Sequence, residues 1–193
     1  MKKSNIILLT LILVNLSLLA QNHTKIIDMH IHSYTDSDFG DREPAQDYYG
    51  KKGSKDAESH RLETFAAFEK FNIVKAMVSG NPESVENWVT KDSNQRIIRG
   101  ILMYTPDDYD MDSVKFEQMV KDNKIEVFGE TAPYYGGTTL SDSIWQPYLQ
   151  ICEKYDIPVA VHMGGGDPGG TYSWSPKARL KLGDPYTIED VLV

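Results

Sequence analysis

The fold of this chain is decided by Lys25-Ile26-Ile27-Asp28-Met29-His30-Ile31-His32. Apolar or β-branched residues alternate with polar ones along this stretch, which predicts a β-strand. Side chains two positions apart in a strand point the same way, so Asp28, His30 and His32 share one face. The opposite face carries Ile27, Met29 and Ile31 and is expected to pack on a layer of helices.

The polar face of this strand has two interpretations. Burying three polar groups is costly unless they find partners, and a divalent metal bound by two imidazoles would supply them. An exposed edge strand with two solvated histidines explains the same spacing. The alternation alone leaves both interpretations open.

The first twenty residues are a different kind of sequence. Lys2 and Lys3 precede an apolar run that extends from residue 6 to Ala20, and the chain turns polar at Gln21. This pattern is typical of a secretory signal peptide, and the run is shorter than the roughly 20 apolar residues of a membrane span. We therefore expect a signal peptide at 1–20 and an exported mature chain at 21–193, periplasmic or secreted, without a stable membrane anchor. An uncleaved N-terminal anchor is the alternative.

Charge and cysteine content exclude further classes of protein. Without the predicted signal peptide, 18 basic residues stand against 28 acidic ones, a net charge of −10. This balance argues against binding nucleic acid through a broad basic surface. One cysteine cannot form a disulfide within the chain. Cys152 lies in a helical apolar pattern and is predicted to be a buried core residue.

Strand and helix patterns alternate along the mature chain. Further strands are predicted at 73–80, 96–104, 124–130 and 158–164, and helices at 57–71, 82–92, 111–122, 142–155 and 185–193. The first of these helices carries an apolar stripe that includes Leu62, Phe65 and Phe68, and His60 near its start is expected at the surface or in the cap. Repeated βα units with apolar strands predict a parallel sheet covered by helices.

Such a sheet can stay open and doubly wound, or close into a (β/α)₈ TIM barrel. The open sheet usually places a glycine-rich loop after its first strand, but here that strand ends in His-Ile-His. In a barrel, catalytic groups lie at the carboxyl ends of the strands. His32, Glu130 and His162 lie at or near the ends of strands one, four and five, which favours the barrel.

The length of the chain is short for that barrel. Such barrels take about 250 residues, and the predicted mature chain has 173 residues with five strands. The last residues read as an amphipathic helix without a cap. We therefore expect the N-terminal part of a barrel, about the first five βα units of a C-terminally truncated chain.

The spacing of the polar residues resembles the amidohydrolase superfamily, and most closely its amidohydrolase-related branch. The likeness rests on Asp28-x-His-x-His on strand one, Gly129-Glu130 ending strand four, and Val159 to Gly164 around His162. It implies that His30 and His32 bind a metal. It also implies that His162 is a further ligand or a substrate-facing histidine. Glu130 stands where some members place a carboxylate or modified lysine that bridges two metals.

The resemblance also implies a function and a cofactor. The expected protein is a metal-dependent hydrolase with a divalent metal, zinc before manganese or iron, whose activated water cleaves a C–N or C–O bond of a small-molecule substrate. The family's general-base aspartate is expected beyond residue 193, so the fragment itself is expected to be inactive. Oligomerisation is compatible with this interpretation.

Other functions fit the same pattern. Members of the same branch include metal-dependent decarboxylases, and a non-catalytic exported protein could use the same site to bind a metal or ligand. Polymerase-and-histidinol-phosphatase-type phosphoesterases also begin with an Asp-x-His-x-His strand. They usually carry an Asp-His pair after the second strand, where this chain has Ser79-Gly80-Asn81-Pro82.

The predicted signal peptide gives a direct test. Because small residues precede the cleavage site of such peptides, the exported protein should begin at Gln21. Intact mass and N-terminal sequencing of exported material measure this terminus. A membrane-bound protein that retains Met1 would contradict the prediction.

Overall fold

A computed structural model describes residues 24–39, 53–164, 172 and 175–192. The predicted signal peptide and residues 40–52 lie outside these ranges. The strands are β1 (Ile26–His32), β2 (Ile73–Ser79), β3 (Ile97–Arg99), β4 (Phe128–Thr131) and β5 (Val159–Val161). The α-helices are α1 (Asp36–Phe39), α2 (Ala57–Phe71), α3 (Pro82–Lys91), α4 (Ser113–Lys121), α5 (Pro133–Gly136), α6 (Gln146–Tyr155) and α7 (Glu189–Leu192). Short 3₁₀ helices span Asp108–Asp110, Leu180–Gly183 and Pro185–Ile188.

All the strand pairs among the described residues are parallel, which confirms the mixed α/β class with parallel sheets. β1, β2 and β3 form one sheet in that order, and β4 pairs with β5. Two isolated parallel bridges, Gly100 to Val127 and Met103 to Thr131, connect the chain after β3 to the β4 region. The order therefore follows the chain without the reversal that a doubly wound sheet shows. Among the described strands β1 and β5 do not pair, so the sheet does not close into a barrel there, and eight-stranded closure stays a prediction.

The ends of α2 and α3 agree well with the sequence because local capping groups define them, whereas α6 begins four residues after the predicted start at 142, and the helix predicted at 185–193 is a 3₁₀ helix followed by α7. Asp56 accepts a hydrogen bond from the Ser59 N–H at 2.7 Å and caps α2, which ends at Asn72 in the left-handed conformation (φ 55°). Asn81 caps α3 in the same way, ahead of a proline in its first turn. Strand bounds agree less well. β3 and β5 each have three residues, whereas the sequence predicts nine and seven.

In the part of the chain that the structure describes, two apolar clusters hold the helices on the sheet. The larger lies around α4, α6 and β4, where the Phe116 and Phe128 rings meet edge to face at 5.0 Å. Cys152 in α6 is 3% exposed within this cluster, which confirms its predicted burial, and burial raises the pKa of its thiol to about 12. The smaller cluster joins Phe68 of α2 and Trp88 of α3 to β2 and β3. Within the described ranges, no helix combines the length and apolarity needed to cross a membrane.

Part of the predicted apolar packing is wrong. Ile27 and Met29 on β1 are 59% and 57% exposed, and of the predicted β1 face Ile31 alone packs against the smaller cluster. Leu62 in the predicted stripe of α2 is 53% exposed. The reason is the placement of the helices: α2 contacts β2 and α3 contacts β3. Each of these helices covers the strand that follows it, so neither of them covers the outer face of β1.

A buried ion pair closes the turn between α3 and β3. The Arg96 guanidinium donates to Asp92 Oδ1 from Nε at 3.0 Å and from Nη2 at 2.7 Å, and to Glu69 from Nη1 at 2.6 Å. The Arg96 backbone N–H donates to the second Asp92 oxygen. The Asp92 side chain is fully buried, whereas that of Glu69 is mostly exposed. Burial alone would raise the pKa of Asp92, but the hydrogen bonds and charge of Arg96 hold it below its ordinary value.

Replacing Asp92 by alanine should be strongly destabilising. Removing one partner of a buried pair leaves an uncompensated charge, so Asp92→Ala should lower the free energy of unfolding by about 3–5 kcal/mol. Glu69→Ala is the control, because losing an exposed partner costs about 1 kcal/mol or less. Denaturant unfolding of the protein and both variants measures the difference. Equal losses in the two variants would contradict this account.

The contribution of Asp92 to the free energy of unfolding should also depend on pH. Because the pKa of Asp92 is lowered on folding, its stabilisation is fully present above the unfolded pKa of about 4 and is lost as the pH falls below it. The gap in stability between the protein and Asp92→Ala should therefore narrow below pH 4. Unfolding curves at several pH values measure it, and a gap that is independent of pH would count against the ion pair.

Candidate metal centre

The polar residues of the candidate site lie at the carboxyl ends of parallel strands. β1 carries His30 and His32 on one face, and its pairing with β2 sets His32 opposite Ser79. β4 contributes Glu130, and His162 directly follows β5. Parallel strands bring their carboxyl ends to the same edge of a sheet, so residues far apart in the sequence meet here.

Three side-chain atoms converge at this edge and are called the three-donor cluster below. His30 Nε2 and His32 Nε2 are 3.0 Å apart, and Glu130 Oε2 lies 3.2 Å from the first and 3.1 Å from the second. The His30 side chain is 60% exposed, whereas those of His32 and Glu130 are 23% and 11% exposed. The cluster is therefore reachable from solvent on the His30 side. These three groups could hold a metal ion.

The donor set suits a divalent transition metal. Ligand atoms of a tetrahedral zinc site with bonds of about 2.0–2.1 Å lie about 3.3 Å apart, close to the separations in the three-donor cluster. Three protein ligands are also the number in catalytic zinc sites, which keep a fourth position for water or substrate. Two histidines and one carboxylate equally match non-haem iron sites. The geometry therefore fits a metal and does not select zinc over iron.

His32 is oriented by partners outside the cluster. Its Nδ1 lies 3.1 Å from the hydroxyl of Ser79, which is fully buried, and its backbone carbonyl accepts from His60 Nε2 at 3.0 Å. Metal-binding histidines usually have such a partner on the second ring nitrogen, which fixes the ring and its tautomer. The arrangement points His32 Nε2 at the other two donors.

His60 has a different place from the one that the sequence predicts. Instead of lying at the surface or in a cap, it is partly buried and its ring packs 5.1 Å from the Tyr34 ring and 5.6 Å from the Trp88 ring. The expectation of a surface histidine is therefore wrong. Nothing in the local sequence marks this role, because the partners of His60 come from β1, its following loop and α3.

Asp28, the third polar residue on the β1 face, has a local role. Its Oδ1 accepts a hydrogen bond from the backbone N–H of His30 at 3.0 Å. Aspartate side chains commonly bond to a backbone N–H two residues along. Asp28 thus braces the backbone that carries His30 and is separate from the three-donor cluster.

His162 reaches the cluster through Glu130. Its Nδ1 lies 2.8 Å from Glu130 Oε1, and its Nε2 lies 3.1 Å from the hydroxyl of Tyr135. The four residues predicted as metal ligands, His30, His32, Glu130 and His162, are therefore brought together. Three of them supply the converging donor atoms, and the fourth contacts the other carboxylate oxygen.

Glu130 is the electrostatic centre of the site. Burial of its carboxylate would raise its pKa, but hydrogen bonds to His162 and His32 and the charge of His30 together hold the pKa below its ordinary value. Glu130 is therefore ionised at neutral pH. An ionised carboxylate is the form that binds a cation.

Tyrosines stand beside the site, and the sequence analysis did not assign them to it. The pKa of Tyr104 is raised to about 12, mainly by burial and further by the neighbouring Tyr34, Tyr135 and Glu130. The pKa of Tyr34 is also raised, mainly by burial and further by the negative charges of Asp38 and Glu130. Both phenols keep their protons at neutral pH and can donate hydrogen bonds. Their positions just after β1 and at the end of the third predicted strand are the signal that could have revealed them.

Comparisons with known proteins give a distant structural likeness. No protein-family model and no curated protein matches the chain. Among solved structures, it is similar to a probable 2-pyrone-4,6-dicarboxylic acid hydrolase from Acinetobacter baumannii with citric acid bound, at 14% sequence identity and a TM-score of 0.47. The match covers 73% of this chain and 50% of that one. The chain thus spans about half the length of the structure it matches.

The contact between His32 and Ser79 gives a test of the site. Ser79→Ala removes the partner of His32 Nδ1, and losing such an outer partner typically weakens metal binding about 10–100-fold. Zinc affinity, measured by competition with a chromophoric chelator, should fall by at least about 10-fold. Ser84→Ala is the matched control, because Ser84 is also buried but its hydroxyl bonds to Ser33 and to Asn81. Equal effects of both variants would contradict the orienting role of Ser79.

Proposed function

We propose that the complete protein is a metal-dependent hydrolase of the amidohydrolase type, which cleaves a C–N or C–O bond of a small molecule, and that residues 1–193 without the expected general-base aspartate are inactive by themselves. The observation that carries the proposal is the three-donor cluster, in which His30 Nε2, His32 Nε2 and Glu130 Oε2 lie 3.0–3.2 Å from one another. If His30 and His32 were solvated side chains on an edge strand, nothing would require the buried Glu130 carboxylate of β4 to contact both of their rings.

The cluster would hold one divalent cation, zinc in the first instance, with manganese or iron as alternatives. Such a cation supplies Lewis acidity and makes water nucleophilic at neutral pH. The chain's own residues prepare the place for it. Ser79 orients His32, Asp28 braces His30, and the ionised Glu130 provides the negative charge that offsets the cation.

The surroundings of the cluster suit a small polar substrate. His30 is the most exposed of the three donors, so a substrate would approach from its side. Tyr34 and Tyr104 would donate hydrogen bonds to substrate oxygens, because both phenols remain protonated. The acidic chain, with a net charge of −8, favours this over a nucleic-acid substrate. Export by the predicted signal peptide and an eight-stranded barrel in the complete protein belong to the same proposal.

Removing both β1 histidines tests the metal site. His30→Ala combined with His32→Ala deletes two of three donors, so zinc retained after dialysis should fall from about one per chain to near zero. Elemental analysis by mass spectrometry measures it. His23→Ala, which lies outside the described residues, controls for the loss of an imidazole as such. Unchanged zinc content in the double variant would overturn the proposed site.

Product assays on the metal-loaded protein distinguish the proposed activity from its alternatives. Incubation of the complete protein with a panel of lactones, cyclic amides and esters should release the ring-opened or hydrolysed product, and the double histidine variant of the complete protein should not. Release of carbon dioxide from aromatic acids without hydrolysis would instead indicate the decarboxylase. Tight metal binding by the complete protein with neither reaction would favour the non-catalytic binding protein.

A further inference from the structure

A cavity of about 340 Å³ lies between α2 and α3. Its walls come from the loop that follows β1 and from the first two turns of each helix, which include Trp88. Sites for small molecules begin near this size and combine apolar walls with a few placed polar groups. Among the described residues that line it, none belongs to the three-donor cluster. The cavity is therefore a separate feature of the molecule.

Arg61 brings a buried positive charge to this cavity. Its side chain is 8% exposed, and its guanidinium lies 5.2 Å from the centre of the Phe65 ring. One edge of the guanidinium bonds to Glu58, from Nε to Oε2 at 3.1 Å and from Nη2 to Oε1 at 2.5 Å. Within the described ranges, Nη1 donates no hydrogen bond. The edge formed by Nη1 and Nη2 is therefore free, and such an edge matches the two oxygens of a carboxylate.

Trp88 supplies a second free donor. The residue is 2% exposed and lines the cavity, and its indole N–H has no hydrogen-bond partner in the described part of the chain. The fully enclosed side-chain N or O atom without a partner there is Arg99 Nε, so the indole N–H is open to the space that Trp88 lines. An indole nitrogen can only donate. The buried side of the cavity thus offers donors and calls for a ligand group that accepts.

Carboxylates stand on the exposed side of the same cavity. Asp36 and Glu83 are exposed and line it, and Glu58 is 64% exposed. Asp36 Oδ1 accepts from the Ala57 N–H at 3.1 Å, whereas the Glu83 carboxylate has no hydrogen bond or ion pair among the described residues. A ligand with negative charge alone would be repelled by this rim. The cavity therefore suits a ligand that carries both signs of charge.

We propose that this cavity binds a small zwitterion of the free amino-acid class. The ligand carboxylate accepts from the free edge of Arg61 and from the Trp88 indole, and the ligand ammonium lies against Glu83 at the rim. The rings of Trp88 and Tyr34 bound the space that remains for the ligand's side chain. The inference is independent of the proposed metal centre, because it uses none of the metal-binding residues.

Calorimetric titration of the full chain tests the requirement for both charges. L-Leucine should bind at least about 10-fold more tightly than 4-methylpentanoate, which lacks the ammonium, or 3-methylbutylamine, which lacks the carboxylate. The double variant of His30 and His32 should show the same order, so failure of the proposed hydrolase leaves this result standing. Leucine binding no tighter than that of either half, or no leucine binding, would overturn the inference.

Two variants test the buried donors. Arg61→Lys keeps the positive charge but loses the planar fork, so the affinity for leucine should fall at least about 10-fold. Trp88→Phe keeps an aromatic ring and removes the N–H, which should weaken leucine binding by about 5-fold. Thermal melts verify that each variant is folded, and Trp88→Phe decides the matter if Arg61→Lys does not fold. A folded Trp88→Phe variant with unchanged affinity would overturn the inference.

The rim carboxylate has a matched control on the same helix. Glu83→Gln should weaken leucine binding by about 5-fold and strengthen that of 4-methylpentanoate, because it removes a charge that attracts the ammonium and repels the carboxylate. Glu86 lies 3.5 Å from Arg99 Nε and outside the cavity lining, so Glu86→Gln should change neither affinity. Equal effects of the two variants would overturn the inference.

Discussion

The candidate site depends on the negative charge of one nearly buried carboxylate, that of Glu130. An ionised carboxylate away from water is costly unless other groups compensate it. Here the compensation comes from three imidazoles on two other strands, His30 and His32 from β1 and His162 after β5. The parallel order of the strands supplies all of them at one edge. The fold and the polar cluster therefore require each other, because neither β1 nor β4 could bury these groups alone.

Much of the fold could be predicted because its signals are local. The βα alternation, the caps at Asp56 and Asn81, and the burial of Cys152 all depend on neighbouring residues or simple periodicity. The position of Glu130 and His162 near strand ends was readable too, since the end of an apolar run marks the end of a strand. Parallel pairing then places those ends together.

The remainder depends on contacts that periodicity does not encode. Ile27, Met29 and Leu62 sit on apolar faces in the sequence, but the helices cover the neighbouring strands and leave them exposed. The strands β3 and β5 are shorter than predicted, because the regular ladder of backbone hydrogen bonds ends before the apolar run of the sequence does. The roles of His60, Tyr34 and Tyr104 arise where separate loops and helices meet, so no single stretch of sequence announces them.

The buried thiol of Cys152 makes the larger core observable. It is the single cysteine of the chain, it is 3% exposed, and burial raises its pKa to about 12. A thiol reagent reacts with the thiolate form of cysteine. In the native protein the Cys152 side chain is both inaccessible to the reagent and protonated, so it should react slowly. Modification must then wait for α6 to lift from the core. The rate at which Cys152 is labelled would therefore measure how often this half of the molecule opens, without any introduced probe.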